Sequence, residues 1–319
     1  MTVRVAVVCS RALGDAAEAL GRARALADAA GGDVIAIALG EVDGQALIAL
    51  GADAVHALAH PMLEQAHVEA MASAAAQVCR ATRPAAVFIN HNAIGADLAP
   101  RVALQLGGCA ATGCVAVDYE AGEVRCTRPR QGGIAREVVS FRASPVIATL
   151  RAGSYAVAIA DAARSGTVTV APFEPQGVRT RILERSRETS EGPRLEDAKV
   201  IVSGGRGLNG PEGFRMLEEL ASALGGVVGA SRVPCDLGWC PRSWQIGLTG
   251  KTVLPDLYIA VGISGASHHL AGCGNAKTIV AVNTDPGAAI FREARYGIVG
   301  DYQKIIPALT DEVRRVRNG

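Results

Sequence analysis

One local pattern occurs twice in this chain and limits what it can fold into: an aliphatic run breaks into a glycine-rich turn, and the turn opens a helical pattern. The first copy is Val200-Ile201-Val202 followed by Ser203-Gly204-Gly205-Arg206-Gly207, after which Phe214, Leu217, Leu220, Ala221 and Leu224 recur at spacings of three and four. The second is Leu257-Tyr258-Ile259-Ala260-Val261 followed by Gly262-Ile263-Ser264-Gly265-Ala266-Ser267-His268-His269. Strand, glycine turn and helix in that order suit a ligand, because glycine lets the backbone approach closely and a helix start attracts phosphate. Glycine marks turns of every kind, so one such loop says little. Two within the stretch Lys199 to Asp301 read as a cofactor site.

Aliphatic runs near 200, 228, 258, 279 and 298 predict five strands of a small doubly wound sheet. Ligands of such sheets lie outside the carboxyl ends of the strands. Arg206, Ser231, Ser264, Asn283 and Asp301 each follow an aliphatic run and fall at those ends. Short and closing helices are expected at about Ala288 to Ala294 and Tyr302 to Val316, with Pro307 in the first turns of the latter.

At 319 residues the chain exceeds the roughly 250–300 at which one core stops growing, so two domains are expected. Hydrophobic residues are 49% and aromatics only 4%, the palette of aliphatic sheets flanked by helices. In the N-terminal half, strands at 3–8, 33–39, 54–58 and 86–90 alternate with helices near 15–30, 45–50, 63–79 and 95–106. Asn92 is placed to cap the last of these helices, and the alternation argues for a parallel sheet with right-handed crossovers. After Gly107-Gly108 short strands follow at 114–119, 124–128, 137–141 and 145–150, then one at 168–173. From Glu174 to Ala198, Arg179, Arg181, Arg185, Arg187 and Arg194 mix with Glu184, Glu188, Glu191 and Glu196 without apolar periodicity, which reads as a solvated linker; a grip on a partner subunit is the other reading. The predicted organisation is an α/β chain with an N-terminal domain at 1–173, a linker at 174–198 and a C-terminal domain at 199–319.

Basic and acidic residues number 32 and 31, so a net charge of +1 leaves no field for nucleic acid or an anionic membrane. No aliphatic run approaches the roughly 18 residues of a membrane span. The chain opens on a strand rather than a charged leader, and a soluble cytoplasmic protein is expected. Among eight cysteines, Cys109 with Cys114 and Cys235 with Cys240 are separated by four residues. Zinc sites want further cysteines or histidines beside such pairs, so reduced structural thiols are expected. No Ser-His-Asp order, metal cluster or carboxylate pair stands out, so the sequence announces no substrate pocket.

Five stretches, in order, resemble the FAD-binding domain of the electron transfer flavoprotein alpha subunit family: Ser203 to Gly207, Gly229-Ala230-Ser231-Arg232, Gln245 to Lys251, Tyr258 to Ala266, and Lys277 to Pro286. The segment Thr127 to Ala135 and the strand Pro145 to Leu150 with Arg151-Ala152-Gly153 resemble the end of that family's first domain more loosely. The resemblance implies an N-terminal mostly parallel, nucleotide-hydrolase-like sheet with helices and a C-terminal doubly wound FAD-binding domain. It implies a heterodimer with a beta subunit, electrons accepted from flavoprotein dehydrogenases, and delivery to a quinone oxidoreductase.

Residue by residue, the resemblance places Arg206 at the phosphate end of FAD, and Ser231 with Arg232 at the isoalloxazine and diphosphate. Arg232 is then a permanent cation beside the ring, which favours its anionic one-electron form and raises the first reduction potential. Thr249, in Ile246-Gly247-Leu248-Thr249, matches the hydroxyl that bonds flavin N5; Ser264, Gly265, Ala266, Ser267, His268 and His269 form the second turn, with His269 near the pyrimidine carbonyl at N1 and C2. Asn283 and Asp301 are expected at the adenosine end. Leu248 departs from the family's glutamine, so one polar contact is lost. Trp239 and Trp244 either shield the flavin edge or pack. Two rival readings are a transhydrogenase-type nicotinamide nucleotide domain and an adenine-nucleotide-binding sensor module.

Overall fold

Strands aliphatic on both faces pair in parallel, and the crossovers between them carry the helices. The computed structural model describes residues 3–131, 135–185 and 194–318. Two compact units divide the chain, Met1–Arg185 and Ser186–Gly319.

In the first unit, β1 (Arg4–Cys9), β2 (Asp33–Leu39), β3 (Ala54–Leu58), β4 (Ala86–Asn90), β5 (Cys109–Cys114), β9 (Val146–Leu150) and β10 (Thr167–Val170) form a seven-stranded sheet in the order β10-β3-β2-β1-β4-β9-β5. Every pairing in it is parallel. β6 (Ala116–Glu120), β7 (Glu123–Arg130) and β8 (Ala135–Ser140) make a separate antiparallel meander. Alternate residues of β1 serve opposite cores: Val5 and Val7 pack with Leu20 and Leu26 of α1 (Ala17–Ala29), and Ala6 and Val8 with residues of α4 (Val68–Thr82) and α5 (Ala93–Leu106). α2 (Gly44–Ala49) is capped by Asp43, whose carboxylate accepts the amides of Gln45 and Ala46.

The helix expected over 63–79 is two helices, α3 (Pro61–Glu64) and α4. Pro61 follows the His60 cap, and Ala66 between them adopts φ 49°. Asn92 caps α5 as expected: its carbonyl oxygen accepts the Gly95 amide at 2.8 Å, and its amide donates to the Ala12 carbonyl at 3.0 Å. Asn92→Ala should therefore lower stability by about 1 kcal/mol, read as a smaller urea midpoint in far-UV circular dichroism.

Residues 172–180, which the sequence reading assigns from 174 onward to a linker, run along α4. Gln77 donates to the Pro172 carbonyl at 2.9 Å, and the amides of Arg179 and Thr180 donate to one oxygen of Glu69 at 2.8 and 3.0 Å. These bonds hold the Glu69 carboxyl at about 2, well below its usual range. The part of the expected linker at 186–193, with Arg187, Glu188 and Glu191, and the Gly132-Gly133-Ile134 part of the loose resemblance lie outside the described residues.

The second unit carries β11 (Val200–Gly204), β12 (Val227–Ala230), β13 (Leu257–Val261), β14 (Thr278–Asn283) and β15 (Tyr296–Val299) in the order β12-β11-β13-β14-β15, all parallel. α6 (Glu212–Leu224) and α9 (Tyr302–Asn318) supply Phe214, Leu217, Leu220 and Ile306 to the core on one face, against Val202, Ile259 and Val261. Ile201, Tyr258 and Ala260 face the other way, toward Ile246, Cys273 of α8 (Ser267–Cys273) and Ile290. The short helix expected at 288–294 is a single 3-10 turn, Ala289–Arg292. No helix among the described residues is long and apolar enough to cross a membrane.

Candidate functional site

Strand order in the second unit reverses between β11 and β13, and a crevice is forced open beyond the strand ends at such a point. A cavity of about 790 Å³ lies there. Its walls are the residues that follow β11 (Arg206, Gly207, Asn209), β12 (Ser231, Arg232, Val233), β13 (Gly262, Ile263, Ser264, Ala266) and β14 (Thr284, Asp285, with Asn283 and Ala288). The 245–249 loop and His268 and His269 of α8 complete them.

The glycines act first on each other. The Gly205 amide donates to the Val261 carbonyl at 2.9 Å and the Gly207 amide to that of Gly262 at 3.0 Å, so the turns after β11 and β13 are laced backbone to backbone. Gly262 has φ 63°, in the left-handed region that glycine adopts without penalty. Gly265, at φ 84°, is backed by Ile290, whose amide nitrogen would lie 2.2 Å from a Cβ there.

Arg206 and Arg232 are both exposed at the cavity wall. Arg232 at the start of α7 (Arg232–Asp236) gives its Nε to Asp236 Oδ2 at 3.0 Å. Thr249 Oγ1 accepts from the Gln245 side-chain amide at 3.0 Å. A hydroxyl that accepts in this way keeps its own proton to donate. Asn283 is already bound on both sides: it donates to the Ile263 carbonyl at 2.9 Å and accepts the Asp285 amide at 3.0 Å. One amide hydrogen remains to it.

His269 is buried at 7% exposure. Its Nδ1 lies 3.1 Å from the Ile246 carbonyl and its Nε2 2.9 Å from the Tyr258 hydroxyl. A carbonyl only accepts, so Nδ1 carries the proton and Nε2 accepts from Tyr258. Burial pushes the imidazole down to about 4, and the ring is neutral. Neither ring nitrogen is free for a further bond, so in this arrangement His269 acts on the cavity by holding the 245–250 loop. His268 is the exposed imidazole of the pair.

Of the residues singled out from sequence, Arg206, Ser231, Arg232, Ile246, Gly247, Leu248, Thr249, Ser264, Ala266, His268, His269 and Asn283 are brought to one cavity. Gly265, Ser267 and Asp301 do not line it. Asp301 caps α9, its carboxylate accepting the Gln303 amide at 2.9 Å. The structure adds Gly207, Asn209, Val233, Gln245, Gly262, Ile263, Thr284, Asp285 and Ala288. Most of these sit within a few residues of a strand end, the signal by which they were findable.

A cavity of this size at the switch point, with two arginines, a hydroxyl set to donate and glycine-laced turns, defines a dinucleotide-binding protein of the doubly wound class. A family model for the electron transfer flavoprotein FAD-binding domain matches residues 194–274, and one for the electron transfer flavoprotein domain matches residues 15–175. The electron transfer flavoprotein subunit alpha of Thermoanaerobacterium thermosaccharolyticum is 43% identical over 271 residues, 84% of this chain and 82% of that protein. That of Bacillus subtilis is 41% identical over 266 residues, 83% and 82% of the two chains, and the FixB protein of Azotobacter vinelandii is 39% identical over 268 residues, 82% and 74%. The chain belongs to the electron transfer flavoprotein alpha subunit family, and its cofactor is FAD. The residues present fit that group: cations suit a diphosphate, and the Gln245-oriented hydroxyl of Thr249 suits a ring nitrogen that accepts.

Proposed function

We propose that this alpha subunit pairs with a beta subunit as a cytoplasmic heterodimer that takes electrons from flavoprotein dehydrogenases and passes them to a quinone oxidoreductase, with no substrate chemistry of its own. FAD supplies reversible electron uptake when bound. Arg206 and Arg232 neutralise the diphosphate, Arg232 also biases the ring electrostatically, Thr249 donates its hydroxyl to the ring, and Ser231, Ser264 and Asn283 contribute polar contacts along the cofactor. Gly247 and Ala266 keep the wall thin, the exposed Leu248 offers the ring apolar surface, and Ile246, its side chain in the core, contributes through its backbone, whose carbonyl accepts from His269. His268 meets the cofactor's edge, and His269 fixes the loop that carries Thr249. Ser267 and Gly265 shape the turn from behind, and Asp301 acts on the adenosine end through α9.

The observation that carries this reading is the Gln245–Thr249 pair set in a cavity flanked by two exposed arginines at the switch point. The test is an absorbance spectrum of the chain co-purified with its beta subunit. Flavin bands that bleach on chemical reduction and return on exposure to the acceptor are expected. A colourless heterodimer that binds only nicotinamide nucleotides would refute the assignment.

A further inference from the structure

The turn that leaves the cavity wall brings two thiols together. Ser231, Arg232 and Val233 line the cavity, and two residues on, within the same short helix, stands Cys235. The chain then reverses through Gly238 at φ 72° and returns Cys240 to it, Sγ to Sγ at 3.5 Å. Cys235 is half-buried, whereas Cys240 is 9% exposed. The hydrogen bond from Cys240 lowers the Cys235 thiol, and the same bond together with burial pushes Cys240 up. One sulfur is thus reachable and more readily ionised, and the other waits behind it. Cys114 and Cys126 also interact, but both are fully buried, so no reagent reaches them.

We propose that Cys235 and Cys240 form a reversible dithiol–disulfide site at the rim of the cavity, with Cys235 the attacking thiol, Cys240 the resolving thiol, and low-molecular-weight disulfides of the glutathione type the oxidant. The Cys235 thiolate attacks one sulfur of the disulfide, forming a mixed disulfide and expelling one thiolate. Cys240, losing its proton to solvent, then attacks Cys235 Sγ and expels the second. The protein gives up two electrons and two protons, and the reagent becomes two thiols. The sulfurs need to close from 3.5 Å to the roughly 2 Å of a bond, a small adjustment across a loop of four intervening residues. Asp236, next to Cys235, is the carboxylate that holds Arg232, so the state of the pair reaches a cation of the cavity. That consequence rests on the flavin reading above; the thiol chemistry does not.

The full chain is incubated with excess oxidised glutathione, quenched in acid, alkylated and digested with trypsin, which releases Val233 to Arg242 as one peptide holding both thiols. Expected is a peptide two hydrogens lighter, without alkyl groups, and restored by dithiothreitol. Cys240→Ser should trap one glutathione on Cys235, and Cys235→Ser should leave Cys240 free for alkylation. Full alkylation of both thiols, under conditions in which the urea-unfolded chain oxidises, would overturn the site. Glutathione on Cys240 in the Cys235→Ser chain, as fast as on Cys235 in its counterpart, would overturn the order of attack. The readout is a peptide mass, so its failure leaves the flavin spectrum unaffected, and loss of flavin leaves the peptide result standing.

Discussion

Gly205→Ala is expected to leave a chain that folds poorly and holds no flavin colour. A Cβ built at position 205 falls 2.2 Å from the Gly262 carbonyl oxygen and 2.7 Å from its carbon, closer than non-bonded atoms approach. No side chain can swing away, because both partners are backbone. The flanking bonds, Gly205 amide to Val261 carbonyl and Gly207 amide to Gly262 carbonyl, fix the two turns at this distance. Relief requires that the turns after β11 and β13 separate, and these turns are the floor of the cavity. The cost should be about 3 kcal/mol or more, the class of overpacking in which nothing yields. Gly210→Ala is the control: a Cβ there meets only the carboxylate end of Glu212, at 2.9 Å, which can rotate aside. Its effect should stay within about 0.5 kcal/mol. Urea midpoints and the ratio of flavin to protein absorbance read both. A yellow Gly205→Ala chain with an unchanged midpoint would show that the turns part freely.

Most of the second unit's sheet was legible because its strands are buried on both faces and read as unbroken aliphatic runs, Val200 to Val202 and Leu257 to Val261 among them. Turn residues at the strand ends located the cavity for the same reason. Interactions between side chains distant in sequence were not legible. The glycine turns suggested backbone approach to a ligand, whereas Gly205 and Gly207 are needed first because another turn's backbone lies against them. The break between α3 and α4 falls on Ala66 at φ 49°, a residue type that announces no turn. Residues 174–180 look solvated by composition, yet one carboxylate, Glu69, fastens two of their amides to α4. His269 was legible as a residue of the cavity; its bond to Tyr258 was not, since it links β13 to α8 across the packing layer.

That buried histidine predicts how the second unit responds to acid. Imidazole ordinarily titrates near 6.5, and burial holds His269 neutral down to about 4. Above 6.5 the folded and unfolded rings are both neutral, and the stabilisation is complete. As pH falls through 6.5 the unfolded ring takes up its proton first, and the folded state loses ground until its own ring titrates near 4, below which the loss levels off. The loss across this window should be about 3 kcal/mol. Carboxylates bound to cations act lower: Lys277 lowers Asp256 from 3.8 and Arg315 lowers Glu312 from 4.5, so the slope from 6.5 to about 4.5 belongs to the imidazole. Trp239 and Trp244 are the chain's two tryptophans and both lie in the second unit, so urea unfolding followed by their fluorescence reports this unit alone. In His269→Gln the midpoint at pH 7 should fall, because the bonds to Tyr258 and Ile246 are disturbed, while the slope between pH 6.5 and 4.5 should flatten. A slope that survives the substitution would assign the proton to another group. A slope that vanishes would assign the lost stability to the His269 ring, which stays neutral in the folded chain between the Tyr258 hydroxyl and the Ile246 carbonyl.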